Sequence, residues 1–254
     1  MKILILFFLS SVMWCEGQTS RKLMWSDEFD YSGKPDEKKW GFDLGDGCPN
    51  CGWGNNEAQL YTNELKNSYV KNGVLTVEAI KKKGKWTSAR LTTQGKFGFA
   101  HGRIEFRAKL PAGKGTWPAL WMLGESIKTE GWPACGEIDI MEHVGRNPTV
   151  VQSAMHTQSN YGNTINKGDT KVIDFDKEFH IYGAEWSAEK IDFFVDGKVF
   201  YTYNPTVKDK NTWPLDSPFY VIINIAMGGN LGGHDIDPTL TSVKMLVDYV
   251  RVYN

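Results

Sequence analysis

Long apolar runs, an excess of one charge sign, helical periodicity and cysteine are all scarce in this chain of 254 residues. The main apolar stretch, Ile3 to Trp14, is broken by Ser10 and Ser11 and is too short to span a bilayer as a mature helix. With Lys2 before it and the small residues Cys15 and Gly17 after it, residues 1–17 are expected to be a secretory signal peptide. Cys15 also allows a lipid-anchored surface form, although Trp14 is a poor residue to precede a lipidated cysteine. The 29 basic and 30 acidic residues leave no net field to attract nucleic acid or an anionic membrane. No segment sustains a 3.6-residue apolar pattern, so helices are expected to run a turn or two at most. No internal repeat, linker or low-complexity tract divides the chain, and 18–254 is expected to be one domain, acting as a monomer.

Of the four cysteines, Cys48 and Cys51 share the loop GDGCPNCGWG. In an exported chain they read as a local disulfide. The other reading is half a zinc site, for which no second CxxC is present. Cys135 stands alone and is expected to be a small buried apolar residue.

What is present is β-pattern. From Gly102 to Leu110, Arg103, Glu105, Arg107 and Lys109 alternate with Ile104, Phe106, Ala108 and Leu110, the period of two of a half-buried strand. Gly73–Ile80, Lys190–Val195, Val199–Tyr203, Tyr220–Met227 and Met245–Tyr253 read similarly, and Asp196-Gly197 is a two-residue hairpin turn. These runs predict an all-β, antiparallel two-sheet β-sandwich. Ten tryptophans suit either a β-rich core or carbohydrate binding.

The most informative stretch is WPACGEIDIMEHVG, Trp132 to Gly145. On a regular strand Glu137 and Asp139 share a face and Glu142 points to the other. A β-bulge near Ile140–Met141 absorbs one residue and returns Glu142 to the face of the other two. Two glutamates brought together in this way have the makings of a retaining glycosidase, whose nucleophile and acid/base stand about 5–5.5 Å apart. Three acids on a strand are otherwise an ordinary solvated face. The aromatic surroundings, Trp117, Trp121 and Trp132 before and His143 and His156 after, favour a sugar site. Trp117 and Trp121 fall on one strand face, open to stacking on sugar rings or to core packing, and Pro118 between them suggests an irregular rim.

WSDEFD, NNEAQLYT, GRIEFRAKLP, GTWPALWML, CGEIDIMEHVG, MHT, GAEWSAEKIDFFVDGK, IINIAMGGN and VDYVRVY, in this order, resemble glycoside hydrolase family 16 over essentially all of 18–254. The extra residue Met141 resembles its laminarinase (endo-β-1,3-glucanase) branch. The resemblance implies a concanavalin-like β-jelly roll with a concave cleft. It implies a secreted retaining enzyme acting on β-glucan such as laminarin, with mixed-linkage β-1,3-1,4-glucan as a further substrate, and needing no catalytic cofactor. It makes Glu137 the nucleophile, Asp139 its support and Glu142 the acid/base. It places Trp117, Trp121, Trp132, Arg90 and His156 at the substrate and Asn56 at the donor-side sugars. A structural Ca²⁺ on the convex side is implied at Glu28, Gly73 and Asp248. Leu231, after GGN, departs from the aromatic residue common in laminarinases. Two rival functions are a non-catalytic β-glucan-binding module, which would lose the glutamates kept here, and an agarase or carrageenase. Sulfated substrates of the latter kind call for a basic cleft.

Overall fold

In the computed structural model, residues 21–254 are described; the expected signal segment and Cys15 lie outside them. Two largely antiparallel sheets pack face to face. The first has ten strands, with Lys198–Tyr203, Ile191–Val195, His180–Trp186, Gly102–Lys109, Ser242–Tyr253, Val74–Lys82, Lys85–Ser88 and Gln59–Tyr61 in spatial order. Leu23–Asp27 and Ser68–Lys71 pair onto it, and Gln59–Tyr61 alone runs parallel to its neighbour. The second runs Lys167–Lys171, Val150–His156, Glu137–His143, Thr116–Gly124, Phe219–Met227, Arg90–Thr92 and Gly41–Asp43, with Gly98–Phe99 also on Phe219–Met227.

The alternating runs become these strands because one face of each has a core to enter. Ile104, Phe106 and Ala108 of one sheet and Leu120, Met122, Ile138, Ile223 and Ile225 of the other belong to one buried cluster. Phe219–Met227 is buried along its whole length. One of its faces looks into that core, and the other lies beneath the aromatic floor of the cleft described below. Among the described residues helix is confined to Ile127–Glu130, Gly229–Gly232 and the 3₁₀ turn Gly52–Gly54. Asp196 and Gly197 close their hairpin with φ of 50° and 77°, the two positive values a type I′ turn needs.

Pro118 corrects the expectation of an irregular rim. It lies inside the nine-residue strand Thr116–Gly124, opposite Ile225 on one side. Pairing with Glu137–His143 on the other side begins only at Ala119, so a residue without an N–H is tolerated where that ladder has ended.

Gly183 faces Phe194 and Glu105 on its two neighbours. A Cβ there would meet Phe194 Cζ at 2.2 Å and the backbone oxygen of Ile104 at 2.5 Å. Gly183→Ala is therefore expected to cost about 1–3 kcal/mol through overpacking, read as a lower Tm in calorimetry. An unchanged Tm would show that the strand can give way at no cost.

Candidate active site

A cleft of about 800 Å³ crosses the outer face of the second sheet. Its floor is built in rows of directly opposed residues. Leu123 faces Glu137, which faces His156; Trp121 faces Asp139, then Ala154, then Lys167; Ala119 faces Glu142, which faces Gln152. Three acids spaced unevenly in sequence share one face because the register slips between Asp139 and Glu142. Ile140 and Met141 together oppose Ser153 and are both buried. Ser153 Oγ donates to the Ile140 carbonyl at 2.7 Å, giving a bond to a backbone group that the bulge takes out of the ladder.

Each acid has its own neighbours. Trp132 Nε1 donates to Glu137 Oε2 at 2.9 Å, and Trp117 Nε1 donates to Glu142 Oε1 at 2.8 Å. His156 Nε2 lies 3.1 Å from Asp139 Oδ2 and 3.8 Å from Glu137 Oε1. Glu137, Asp139 and His156 each offer an atom within 4.8 Å of the others, a grouping that proton chemistry and metal binding can both use. Burial is the largest influence on all three carboxyls, raising Glu137, Asp139 and Glu142 to about 8. Mutual repulsion adds to this for the two glutamates, each pushed up by Asp139.

The sequence-expected side chains mostly converge. Trp117, Trp121, Trp132, Arg90 and His156 line the cleft with the three acids. Arg90 holds Asp43 at 2.9 Å, with Trp53 and Trp121 ring centroids 4.5 and 4.7 Å from its guanidinium. Asn56 is not itself among the lining residues: its amide donates at 2.8 Å to Oδ1 of Asn230, which lines the cleft together with Asn55. Glu28 and Asp248 belong to the other sheet's side, paired with Arg251 at 2.8 Å and Arg107 at 2.6 Å, and Gly73 occupies the turn before Val74–Lys82. Cys48 and Cys51 are joined in a disulfide, and Cys135 is buried, its thiol pushed up to about 12 by that burial.

Sequence reasoning passed over several lining residues. Trp121 Nε1 donates to Asn224, Asn224 donates to the Tyr61 hydroxyl, and that hydroxyl donates to Glu57, a largely buried carboxyl raised by desolvation. Asn224 carried a signal, being the lone polar residue in YVIINIAM. Trp53, among glycines and asparagines, had no core to join and could have been read as a platform.

Residues 51–251 match Glycosyl hydrolases family 16. The chain belongs to that family. Among structures similar to this family 16 chain is the laminarinase from Flavobacterium sp. UMI-01, with a TM-score of 0.89 and 51% identity, covering 92% of this chain and 100% of the other. A Beta-glucanase of Rhodothermus marinus is 46% identical across 91% of this chain and 85% of its own length. A Glucan endo-1,3-beta-glucosidase of Cryptopygus antarcticus is 37% identical across 85% and 84%.

The raised carboxyls link stability to pH. A carboxyl whose folded pKa lies above its unfolded value binds more protons in the native state, so stability falls as pH climbs from about 4.5 to about 8. Glu142→Gln keeps an acceptor for Trp117 but cannot ionise. It is expected to flatten that fall and raise Tm at pH 8 by several degrees, at about 2–4 °C per kcal/mol for a chain of this size, with little gain at pH 4. Parallel Tm–pH curves for variant and wild type would contradict the burial argument.

Proposed function

We infer that the protein is a retaining endo-β-1,3-glucanase of the laminarinase type, with β-glucan as substrate and mixed-linkage β-1,3-1,4-glucan as a further one. The observation that carries the reading is the bulged strand, which sets Glu137, Asp139 and Glu142 on the floor of an aromatic-lined cleft. The names of the family 16 relatives, β-glucanases and laminarinases, agree with it.

Three carboxyls on one buried face cannot all be ionised. His156 stands beside Asp139 and Glu137, and Glu142, pushed up by burial and by the neighbouring Asp139, is assigned the proton. In the first step a Glu137 oxygen attacks the anomeric carbon. The glycosidic C–O bond breaks, and the Glu142 proton passes to the departing oxygen. In the second, Glu142 takes a proton from water, which attacks the same carbon and releases Glu137. Asp139 keeps His156 and Glu137 aligned. Trp117 and Trp132 hold the two glutamates through their indole N–H groups. The Asn50–Glu57 loop, with Arg90 and Trp53, forms the donor-side end. No cofactor is needed for this chemistry.

The enzyme is proposed to be exported, with 1–17 removed, and to work as a single chain. The disulfide supports an oxidising compartment. Calcium is proposed at the corner where pairing brings Glu28, Gly73 and Asp248 close. Asp27 faces Val250, and Leu75 faces Val247, so Glu28 and Gly73 approach Asp248 from either side. An ion there competes with Arg251 and Arg107, so binding requires both guanidiniums to turn away. Chelation is expected to lower Tm by about 5–10 °C from a state holding calcium at 100 times Kd, worth about 2.7 kcal/mol, without stopping turnover at moderate temperature. Identical melting with calcium and with chelator would remove the ion from the account.

Laminarin hydrolysis followed by product analysis tests the reading, and azide separates the two glutamates. With an aryl glucoside whose leaving group needs no proton, Glu142→Ala still forms the glycosyl-enzyme, and azide yields a β-azide. Glu137→Ala lacks the nucleophile and yields only an α-azide. The opposite anomers by NMR would exchange the two roles.

A further inference from the structure

An aromatic corner stands where the rim of the cleft meets the loop 157–166. The rings of Trp132 and Tyr161 have centroids 5.3 Å apart and planes inclined at 78°. The two residues are 45% and 51% exposed, so neither is spent in the core, and side by side they form an apolar patch that water covers poorly. Trp132 lines the cleft and donates to Glu137, and its ring lies 6.0 Å from that of His156. The loop carrying Tyr161 joins Val150–His156 to Lys167–Lys171, and the next three residues, Gly162, Asn163 and Thr164, line the cleft. Counted from Arg90–Thr92, both of these strands lie beyond the acid-bearing strand. A chain laid across the strands from the donor-side end therefore reaches Tyr161 only after passing the acids, on the leaving side of the bond.

The loop holds this ring in place. Thr157 and Asn160 exchange both backbone hydrogen bonds at 3.0 Å. Asn160 Oδ1 accepts from the Ile165 N–H at 2.9 Å, and the buried Thr164 hydroxyl donates to the Met155 carbonyl at 3.0 Å. The Ser159 N–H donates at 2.8 Å to the carbonyl of Asn211, far along the chain. A platform fixed in advance binds at less cost in ordering than a mobile one.

The angle between the rings decides what they fit. A pyranose lays its C–H face on the face of an aromatic ring. Along a β-1,4 chain successive sugar rings keep nearly parallel planes, a ribbon that calls for coplanar platforms. A β-1,3 link turns each ring out of the plane of the last, as the planes of Trp132 and Tyr161 are turned from one another.

We propose that Tyr161 is a specificity-determining residue on the leaving side, a second platform that with Trp132 selects a leaving chain joined by β-1,3 rather than β-1,4 bonds. The proposal rests on the endo-glucanase reading above and narrows its substrate class. Mixed-linkage glucan, whose leaving chains begin mostly with β-1,4 links, is thereby the weaker substrate.

The test separates capture of the leaving-side sugar from formation of the glycosyl-enzyme. With dilute β-laminaribiosyl fluoride, a Glu137 oxygen bonds to the anomeric carbon as the C–F bond breaks and fluoride leaves. An acceptor hydroxyl oxygen then attacks that carbon, its proton passes to Glu142, and Glu137 is released. Laminaribiose and cellobiose compete as acceptors for the wild type, Tyr161→Ala and Tyr161→Phe. A fluoride electrode reads the first step, and NMR of the tetrasaccharides reads the second. The wild type is expected to transfer severalfold more to laminaribiose than to cellobiose. Tyr161→Ala is expected to lose most of that preference and Tyr161→Phe to keep it, while fluoride release without acceptor falls far less than transfer does. No preference in the wild type, one that survives Tyr161→Ala, or one that Tyr161→Phe also loses overturns the platform. Fluoride release that falls as far as transfer would make Tyr161 a support for Trp132 and overturn it too. Plain laminarin left uncut by the wild type would instead bring down the glucanase reading beneath it.

Discussion

One extra residue in one strand is the constraint on which the site depends. A strand presents alternate residues to opposite faces, so Glu137 and Asp139 define a face that Glu142 misses by one position. The slip at Ile140–Met141 moves everything after it by one residue, and Glu142 joins the acids while both bulged side chains enter the core. The partner strand answers in kind: Leu120 and Trp121 take Met141 and Asp139 as successive partners, passing over Ile140. Ser153, with no other visible task, bonds the displaced carbonyl. A bulge of this kind needs a sandwich around it, because only a filled core makes the burial of two successive apolar residues favourable.

The same burial that gives the carboxyls their chemistry works against the fold. Desolvation raises all three, and Asp139 repels both glutamates, so ionising them in the native state is unfavourable near neutral pH. Indole N–H groups from Trp117 and Trp132 and the His156 ring offset part of it. The tryptophans are thus more than platforms for sugar rings. Each of these two supplies a directed dipole to one catalytic oxygen, and a phenylalanine there would keep the surface and lose the bond.

On the donor side, rigidity comes from a chain of polar contacts beneath the aromatic surface. Trp121, Asn224, Tyr61 and Glu57 are linked in series, and Gln59 ties Glu57 to the backbone of Met227. The Cys48–Cys51 disulfide closes the loop that delivers Trp53 onto Arg90.

Local pattern by itself determined the β class, the hairpin at Asp196-Gly197 and the shortness of the helices, because period and turn chemistry are properties of a few adjacent residues. It also determined the acid trio, since a strand carrying ExDxxE can gather its acids only through a bulge. Tertiary structure decided what depends on residues far apart in sequence. Pro118 lies in a central strand because the neighbouring ladder stops one residue short. Asn55 rather than Asn56 lines the cleft because the Gly229–Gly232 turn, whose Asn230 takes the Asn56 amide, holds this loop from across the chain. Lys167 reads as an ordinary surface lysine until the register places it in the row of Trp121, Asp139 and Ala154. Charge composition is a sum over the whole chain, whereas a substrate meets only the charges the fold places along its path.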